Sequence, residues 1–225
     1  MNRLETIKSM VSKCETAADI GTDHGYVAEM LLTDNTAKKV IATDLNKGPL
    51  NRAIEYMTSK KLNLKCDFRL GSGLTVLQKN ESDAIIIAGM GGELIADILS
   101  TSKDIAFSAK QLILQPMTAY DKLRKFLYEN GYKVTDENIV KELHHYYFVI
   151  KAEPGRDKID NEIYYEISKH LLDKKDPVMY EYIEKLIKTN NKIIQSLEGT
   201  GNIDYKEKID KLKYKNNIIM ELIKK

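Results

Sequence analysis

The chain has 225 residues, 43% hydrophobic and 30% charged, with a formal charge of +2; these values exclude a disordered polypeptide and allow a sizeable buried core. No apolar run approaches the roughly 20 residues that cross a bilayer, and the opening MNRLETIKSMVSKCE lacks a secretory apolar region, so a cytoplasmic protein without a membrane partner is expected. Two cysteines, Cys14 and Cys66, and four histidines supply neither a disulfide framework nor a metal-ligand spacing, so no metal is expected.

Leu4, Ile7, Met10 and Val11 recur at helical spacing and predict a short helix within residues 3–14. A strand over 16–20 then enters the loop of ADIGTDHGY, and GYVAEMLLTDN reads as the next helix. Apolar runs at 38–44, 64–69, 82–89 and 110–116 predict further strands, with crossover helices expected at 49–60, 72–80 and 92–106. That alternation is the pattern of βαβ units on a mostly parallel sheet. Beyond Pro116, Tyr120, Leu123, Phe126 and Leu127 line one helix face, with Gly131 as its stop. The runs 132–142 and 144–153 lie too close together for a helix between them, which predicts an antiparallel hairpin at the sheet edge and seven strands in all.

EPGRDKID, at 153–160, marks a boundary between a Rossmann-like domain, 1–155, and a helical domain, 156–225. In the second, Ile163, Ile167 and Leu171 are spaced as one helix face, Tyr182, Leu186 and Ile193 as another, and Ile209, Leu212, Ile219 and Leu222 as a third. EGTGNID reverses the chain between two long helices, predicting an antiparallel, coiled-coil-like hairpin. Basic and acidic side chains balance over residues 1–150, and the small basic surplus falls beyond them. It is too small to name a partner, because balanced charges still segregate into patches.

The loops at the strand ends carry the candidate chemistry. Gly21 and Gly25 permit a sharp turn and close approach of a ligand, and Asp44, ending the second strand, is placed to accept from a ribose diol. Asp23 decides between ligands: a dinucleotide's pyrophosphate would be repelled there, whereas a cationic sulfonium or ammonium group is suited to it. Asp19 is placed to orient such a cationic end, although both Asp19 and Asp23 also fit helix caps. His24 is either a base or a packed hydrogen-bonding ring. Gly71, Ser72 and Gly73 suit an adenine edge, and Ala88, Gly89, Met90, Gly91 and Gly92 form a small-sided loop open to a flat substrate. Gln115 either reads a purine edge with its donor and acceptor or satisfies nearby backbone, Pro116 stiffens the exit, and Tyr120 either stacks on a base or lies on the hydrophobic face of its helix.

ADIGTDHGY, ATDLNKGPL, RLGSGL, IIIAGMGG and LILQPM, in this order and spacing, resemble the bacterial TrmK family of tRNA adenine-N1 methyltransferases. The resemblance covers residues 1 to about 155 by motifs and extends in character to the helical hairpin. It implies a class I methyltransferase fold, S-adenosylmethionine as cofactor, and adenine 22 of tRNA as the methylated base. It also implies a cofactor pocket around Gly21, Asp44, Leu45, Gly71, Ser72, Gly89 and Met90, with the target adenine near Asp23, Gln115 and Pro116. Such enzymes often carry Asp where Ser72 stands here. On this reading Lys188, Lys192, Lys206 and Lys213, with Lys185 and Lys215, contact tRNA phosphates, and no obligate protein partner is implied. Methylation of another RNA base or atom, an NAD-dependent oxidoreductase, and a non-catalytic nucleotide- or RNA-binding module are the competing readings.

Overall fold

The computed structural model describes residues 1–224. It divides into two compact units, Met1–Lys158 and Ile159–Lys225. In the first, seven strands form one sheet: β1 (Cys14–Ile20), β2 (Ala37–Asp44), β3 (Cys66–Leu70), β4 (Ala84–Gly91), β5 (Gln111–Thr118), β6 (Tyr132–Glu142) and β7 (His145–Pro154). Their order across the sheet is β3-β2-β1-β4-β5-β7-β6, and β7 alone runs against its neighbours. This is the Rossmann-like arrangement of class I methyltransferases expected above.

Central strands of a parallel sheet are covered on both faces, which is why β4 reads AIIIAGMG without polar alternation. Successive side chains still point to opposite faces. Ile85 and Ile87 join Leu112, Leu114 and Ile150 in one core, whereas Ala84 and Ile86 join Ile113 and Val149 in the other. Helices α1 (Arg3–Met10), α2 (Tyr26–Thr33) and α3 (Lys47–Ser59) cover the second core through Ile7, Leu31 and Met57. Helices α4 (Gly92–Thr101), α5 (Lys103–Ala106) and α6 (Tyr120–Glu129) cover the first through Ile95, Leu99, Ala106, Leu123 and Leu127. The start of α1 is set by a capping box: Asn2 accepts from the Glu5 amide at 2.9 Å, and Glu5 accepts from the Asn2 amide at 2.8 Å.

Three helical expectations are corrected. Segment 72–80 forms only one 3₁₀ turn, Gly73–Val76, which ends at an extended Leu77 (φ -99°, ψ 156°), with a left-handed Asn80 (φ 63°) beyond it. Segment 92–106 breaks at Ser102, separating α4 from α5. Ile163, Ile167 and Leu171 do not share one helix: α7 (Ile163–Glu166) ends at an extended Ile167, and the Ser168 hydroxyl accepts from the Leu171 amide to start α8 (Lys169–Asp173).

In the second unit, α9 (Pro177–Glu198) begins on Asp176, whose carboxylate accepts from the Val178 and Met179 amides, with Pro177 in the first turn. It pairs with α10 (Lys206–Leu222) as the predicted helical hairpin. The buried stripe of α9 is Met179, Tyr182, Ile183, Asn190 and Ile194, and Ile193, expected inside, is exposed. At mid-seam the Asn190 side-chain amide donates to Asn216 at 2.8 Å, and Asn216 donates to Asn191 at 3.0 Å. A buried amide pair has its full set of bonds in one alignment only, so it fixes the axial register of the two helices.

Candidate active site

Strand order reverses between β1 and β4, and the crevice beyond their carboxyl ends is where open α/β sheets bind ligands. A cavity of about 390 Å³ lies there, between the first loop and the end of β4. Arg3, Asp19, Gly21, Asp23, Gly89 and Met117 are among its lining residues. A larger hollow of about 810 Å³ lies at the opposite ends of the strands, among Lys13, Cys14, Asp83 and Lys110. It has no close-approach glycine and no carboxyl-terminal strand end, so volume alone is a poor guide and the smaller cavity holds the candidate chemistry.

The carbonyl of Thr43, on β2, accepts from the Gly21 and Thr22 amides, each at 2.8 Å, and so holds the first loop against the sheet. Gly21 has φ 75°, and a Cβ there would lie 2.4 Å from the Met90 methyl group. Met90, from the fourth loop, therefore laps directly over the first. Gly92 is tighter still: its Cβ would lie 2.3 Å from the Ala119 carbonyl oxygen, so the turns after β4 and β5 touch through backbone.

Asp19 is buried and accepts from the Thr22 hydroxyl at 2.7 Å. Loss of hydration pushes its carboxyl up to about 6; the Thr22 bond opposes the rise and the nearby Asp44 charge adds to it. Asp44 ends β2, with Oδ1 accepting from the Asn46 amide at 2.8 Å. Its Oδ2 has no protein hydrogen-bond partner among the described residues and is available to a ribose diol. Leu45, beside it, is exposed. The Gly71 amide donates to the Asp44 carbonyl at 2.9 Å, which brings exposed Ser72 and half-buried Gly73 next to the end of β2.

Neither carboxylate of the first loop caps α2, whose N-cap is Gly25 with no side-chain bond. Asp23 sits at φ 49°, half-exposed, and accepts from Arg52 Nη2 at 2.6 Å and from His24 Nδ1 at 2.9 Å. Partial burial nudges its carboxyl upward, but the bonds and charges of Arg52 and His24 outweigh this and hold it below the usual carboxylate range. The His24 ring stacks on Tyr26, centroids 5.3 Å apart and 5° from parallel. Of the two readings of His24, these contacts are those of the packed, hydrogen-bonding ring, which holds Asp23.

The β5 residues are also reassigned. Gln115 is fully buried, and its amide is engaged: Oε1 accepts from Arg3 Nη1 at 2.8 Å and from the Gly89 amide at 3.2 Å, and Nε2 donates to the Pro116 carbonyl at 2.8 Å. Gln115 thus braces the wall of the cavity instead of reading a purine. Pro116 is buried, and exposed Met117 takes the place on the cavity lining expected of it. Tyr120 turns its ring onto Phe148, 4.8 Å away, with the Arg124 guanidinium 5.6 Å from its centroid, so the expected base contact is replaced by packing. Ala88 and Gly89 line the cavity, and Gly91 lies half-buried at the start of α4. Thr22, within ADIGTDHGY, and Met117, directly after the Gln-Pro pair, carry a local sequence signal, whereas Arg3 and Arg52 carry none.

In the helical unit Lys188, Lys192 and Lys206 are exposed. Lys213 is exposed but paired with Glu198 across the hairpin at 2.7 Å, and Lys215 is paired with Glu166 at 2.5 Å. Among the described residues no cluster of three His, Cys, Asp or Glu side chains is arranged to hold a metal ion, and no helix is long and apolar enough to cross a membrane.

A buried carboxylate without a cationic partner among the described residues, a second carboxylate beside it, and a glycine-walled cavity suit a cationic ligand bearing a ribose better than a pyrophosphate. A family profile described as "Methyltransferase domain" matches residues 1–150. The crystal structure of the Bacillus subtilis m1A22 tRNA methyltransferase TrmK is 30% identical and superposes with a TM-score of 0.89 over 99% of this chain and 97% of that one. The chain belongs to the TrmK family of methyltransferases. The tRNA (adenine(22)-N(1))-methyltransferase of B. subtilis strain 168 is 39% identical over 153 residues, which is 68% of this chain but 64% of that protein. Sp1610 of Streptococcus pneumoniae, whose crystal structure contains S-adenosyl-L-methionine, is 29% identical with a TM-score of 0.83 over 98% of each chain. Likeness to TrmK structures thus runs through the helical unit, where the alignment with the B. subtilis sequence stops short.

Proposed function

We propose that this TrmK-family chain transfers a methyl group from S-adenosylmethionine to N1 of adenine 22 in tRNA, in the cytoplasm. The observation that carries the reading is the pair of carboxylates, buried Asp19 and half-exposed Asp23, in a glycine-walled cavity at the switch point of a TrmK fold. When bound there, S-adenosylmethionine supplies an electrophilic methyl group on a sulfonium cation. Asp44 holds the ribose diol, Leu45 and the Gly71–Gly73 loop flank its adenine, and Asp19 faces the cationic amino-acid end. A pyrophosphate in the same place would meet Asp19 and Asp23 with like charge, which disfavours a nicotinamide dinucleotide.

Adenine N1 has an in-plane lone pair and needs no proton removed before attack, but the product ring carries positive charge. Asp23, kept ionised by Arg52 and His24, accepts from the exocyclic amine and offsets that charge. Its part is alignment and electrostatics, with His24 and Arg52 as positioning residues. The base is reached by extrusion from the folded RNA. Exposed Lys188, Lys192 and Lys206 hold phosphates without reading sequence, and Lys213 exchanges its surface pairing with Glu198 for a phosphate at little cost.

Incubation with unmodified tRNA and isotopically labelled cofactor, followed by mass spectrometry of the nucleosides, is expected to place the label in 1-methyladenosine at position 22. Label on N6 or on guanine overturns the assignment. Asp23→Ala is expected to lower turnover by roughly a hundredfold, the scale of losing one electrostatic stabiliser, and to leave cofactor affinity within a few-fold. Equal losses in both would move Asp23 into the cofactor's own contacts.

A further inference from the structure

Because β7 is antiparallel to both β5 and β6, the β6–β7 turn emerges at the same end of the sheet as the cavity. The turn has unusual chemistry for a solvated hairpin, where Asn, Asp and Gly normally supply left-handed residues. Leu143 occupies that conformation, with φ 55° and its side chain 87% exposed. Four aromatic side chains follow: His144 and His145 are exposed, and Tyr146 and Tyr147 half-exposed. The His145 and Tyr147 rings lie 6.3 Å apart at 35°, and Lys141 Nζ lies 5.9 Å from the Tyr146 ring.

Arg3 ties this turn to the cavity. Its amide donates to Glu142 Oε1 at 2.5 Å, and its guanidinium lies 5.6 Å from the Tyr147 ring centroid. The same guanidinium donates to Gln115 Oε1, which also accepts from the Gly89 amide on the cavity wall. One side chain thus links the turn, the end of β5 and the wall where the target base is expected.

We infer that the β6–β7 turn is a stacking platform for the unpaired nucleotides that flank the methylated adenine. This rests on the tRNA-methylation reading. Extruding the adenine leaves its neighbours unstacked, and aromatic rings with an adjacent cation replace lost stacking whatever the base identity. Leu143 supplies apolar contact at the tip, His145 and Tyr147 supply ring faces, and Lys141 supplies charge for the intervening phosphate.

The test uses full-length protein and unmodified tRNA carrying 2-aminopurine next to the target adenine. Two variants are compared: His145→Ala, and Leu143→Asn, which suits the left-handed backbone and preserves the turn. Each is expected to weaken tRNA binding about tenfold, the scale of one lost base stack, to raise KM for tRNA in proportion, and to reduce the 2-aminopurine response. Cofactor affinity by calorimetry and Tm stay at wild-type values. Wild-type tRNA affinity, KM and fluorescence in both variants overturn the platform and leave the methyltransferase reading standing. A loss of tRNA affinity matched by an equal loss of cofactor affinity also overturns it. If the wild-type protein transfers no methyl group to tRNA, the parent reading fails and the platform falls with it.

Discussion

Asp19 sets a conflict between stability and binding inside one residue. Its folded carboxyl titrates near 6, whereas an unfolded one titrates near 4, so between these values the folded protein holds a proton that the unfolded chain releases. Stability of the ligand-free protein therefore falls as pH rises from about 4 to about 6, and the ionised group costs roughly 3 kcal/mol above that window. A cationic ligand favours the ionised form, so affinity for S-adenosylmethionine is expected to weaken as pH falls below about 6. Asp19→Asn keeps an acceptor for Thr22 and is expected to stabilise the ligand-free protein by about 1–3 kcal/mol at pH 7, to flatten that pH dependence, and to weaken cofactor binding at least about tenfold. Urea titrations and calorimetry at pH 5 and 7 check all three outcomes. The carboxylates of this site were legible because Asp19 and Asp44 stand at strand ends and Asp23 in the loop that follows, where charge is informative without a structure. Arg3 and Arg52 were not: each reaches its partner, Gln115 or Asp23, across the fold, and no local spacing records such a contact. For Gln115 the sequence left a purine reader and a backbone-satisfying side chain open, and only burial reveals that both ends of its amide are spent on protein.

Among the elements, α6 and β6 are joined by an ion pair, Arg124 with Glu137, that is almost fully buried. Bonds of 2.9, 3.0 and 3.2 Å connect them, and the guanidinium lies 4.6 Å from the Phe148 ring centroid. Removing one partner takes the counter-ion from a charge that stays in the interior, so Glu137→Ala is expected to cost about 3–5 kcal/mol, while Arg124→Leu with Glu137→Leu recovers most of that loss. Thermal unfolding of the single and double variants decides it. In the hairpin, Asn190→Ala is expected to cost about 1–3 kcal/mol by taking the donor from the buried Asn216 Oδ1, whereas Leu at both positions restores stability and loosens the register, visible as heterogeneous amide exchange in α9 and α10. Hydrophobic period located the strands and most helices. It failed at Leu77, Ser102 and Ile167, where one backbone angle or one cap ends a helix that the apolar spacing would continue. It also misplaced Ile193, because a polar Asn190 holds a seam position that an apolar count passes over.

The chain as a whole forms two compact units, and the proposed function gives them different work. Both cores of the first unit are built from residues 7–152 alone, which supports independent folding of residues 1–158. That fragment is expected to bind S-adenosylmethionine as the full chain does, to methylate tRNA with a much higher KM, and to show a shallower dependence of tRNA binding on salt concentration, since fewer phosphates are neutralised. Fluorescence anisotropy across a salt series and single-turnover kinetics measure both. The alternation of strands and helices made this sheet readable in advance; the cavity itself appears only when β1 and β4, separated by more than sixty residues, become neighbours. The threading of β7 between β5 and β6 has its own outcome during synthesis. The fully buried run of β5 can acquire its outer neighbour only once the chain has been made through Pro154, some 36 residues after Thr118. At about 5–20 residues per second an apolar strand edge stays open on the ribosome for roughly 2–7 s, or somewhat longer while the exit tunnel clears. In that interval the nascent enzyme is a client for chaperones, and slow codons within β6 would lengthen its exposure to aggregation without altering a single residue.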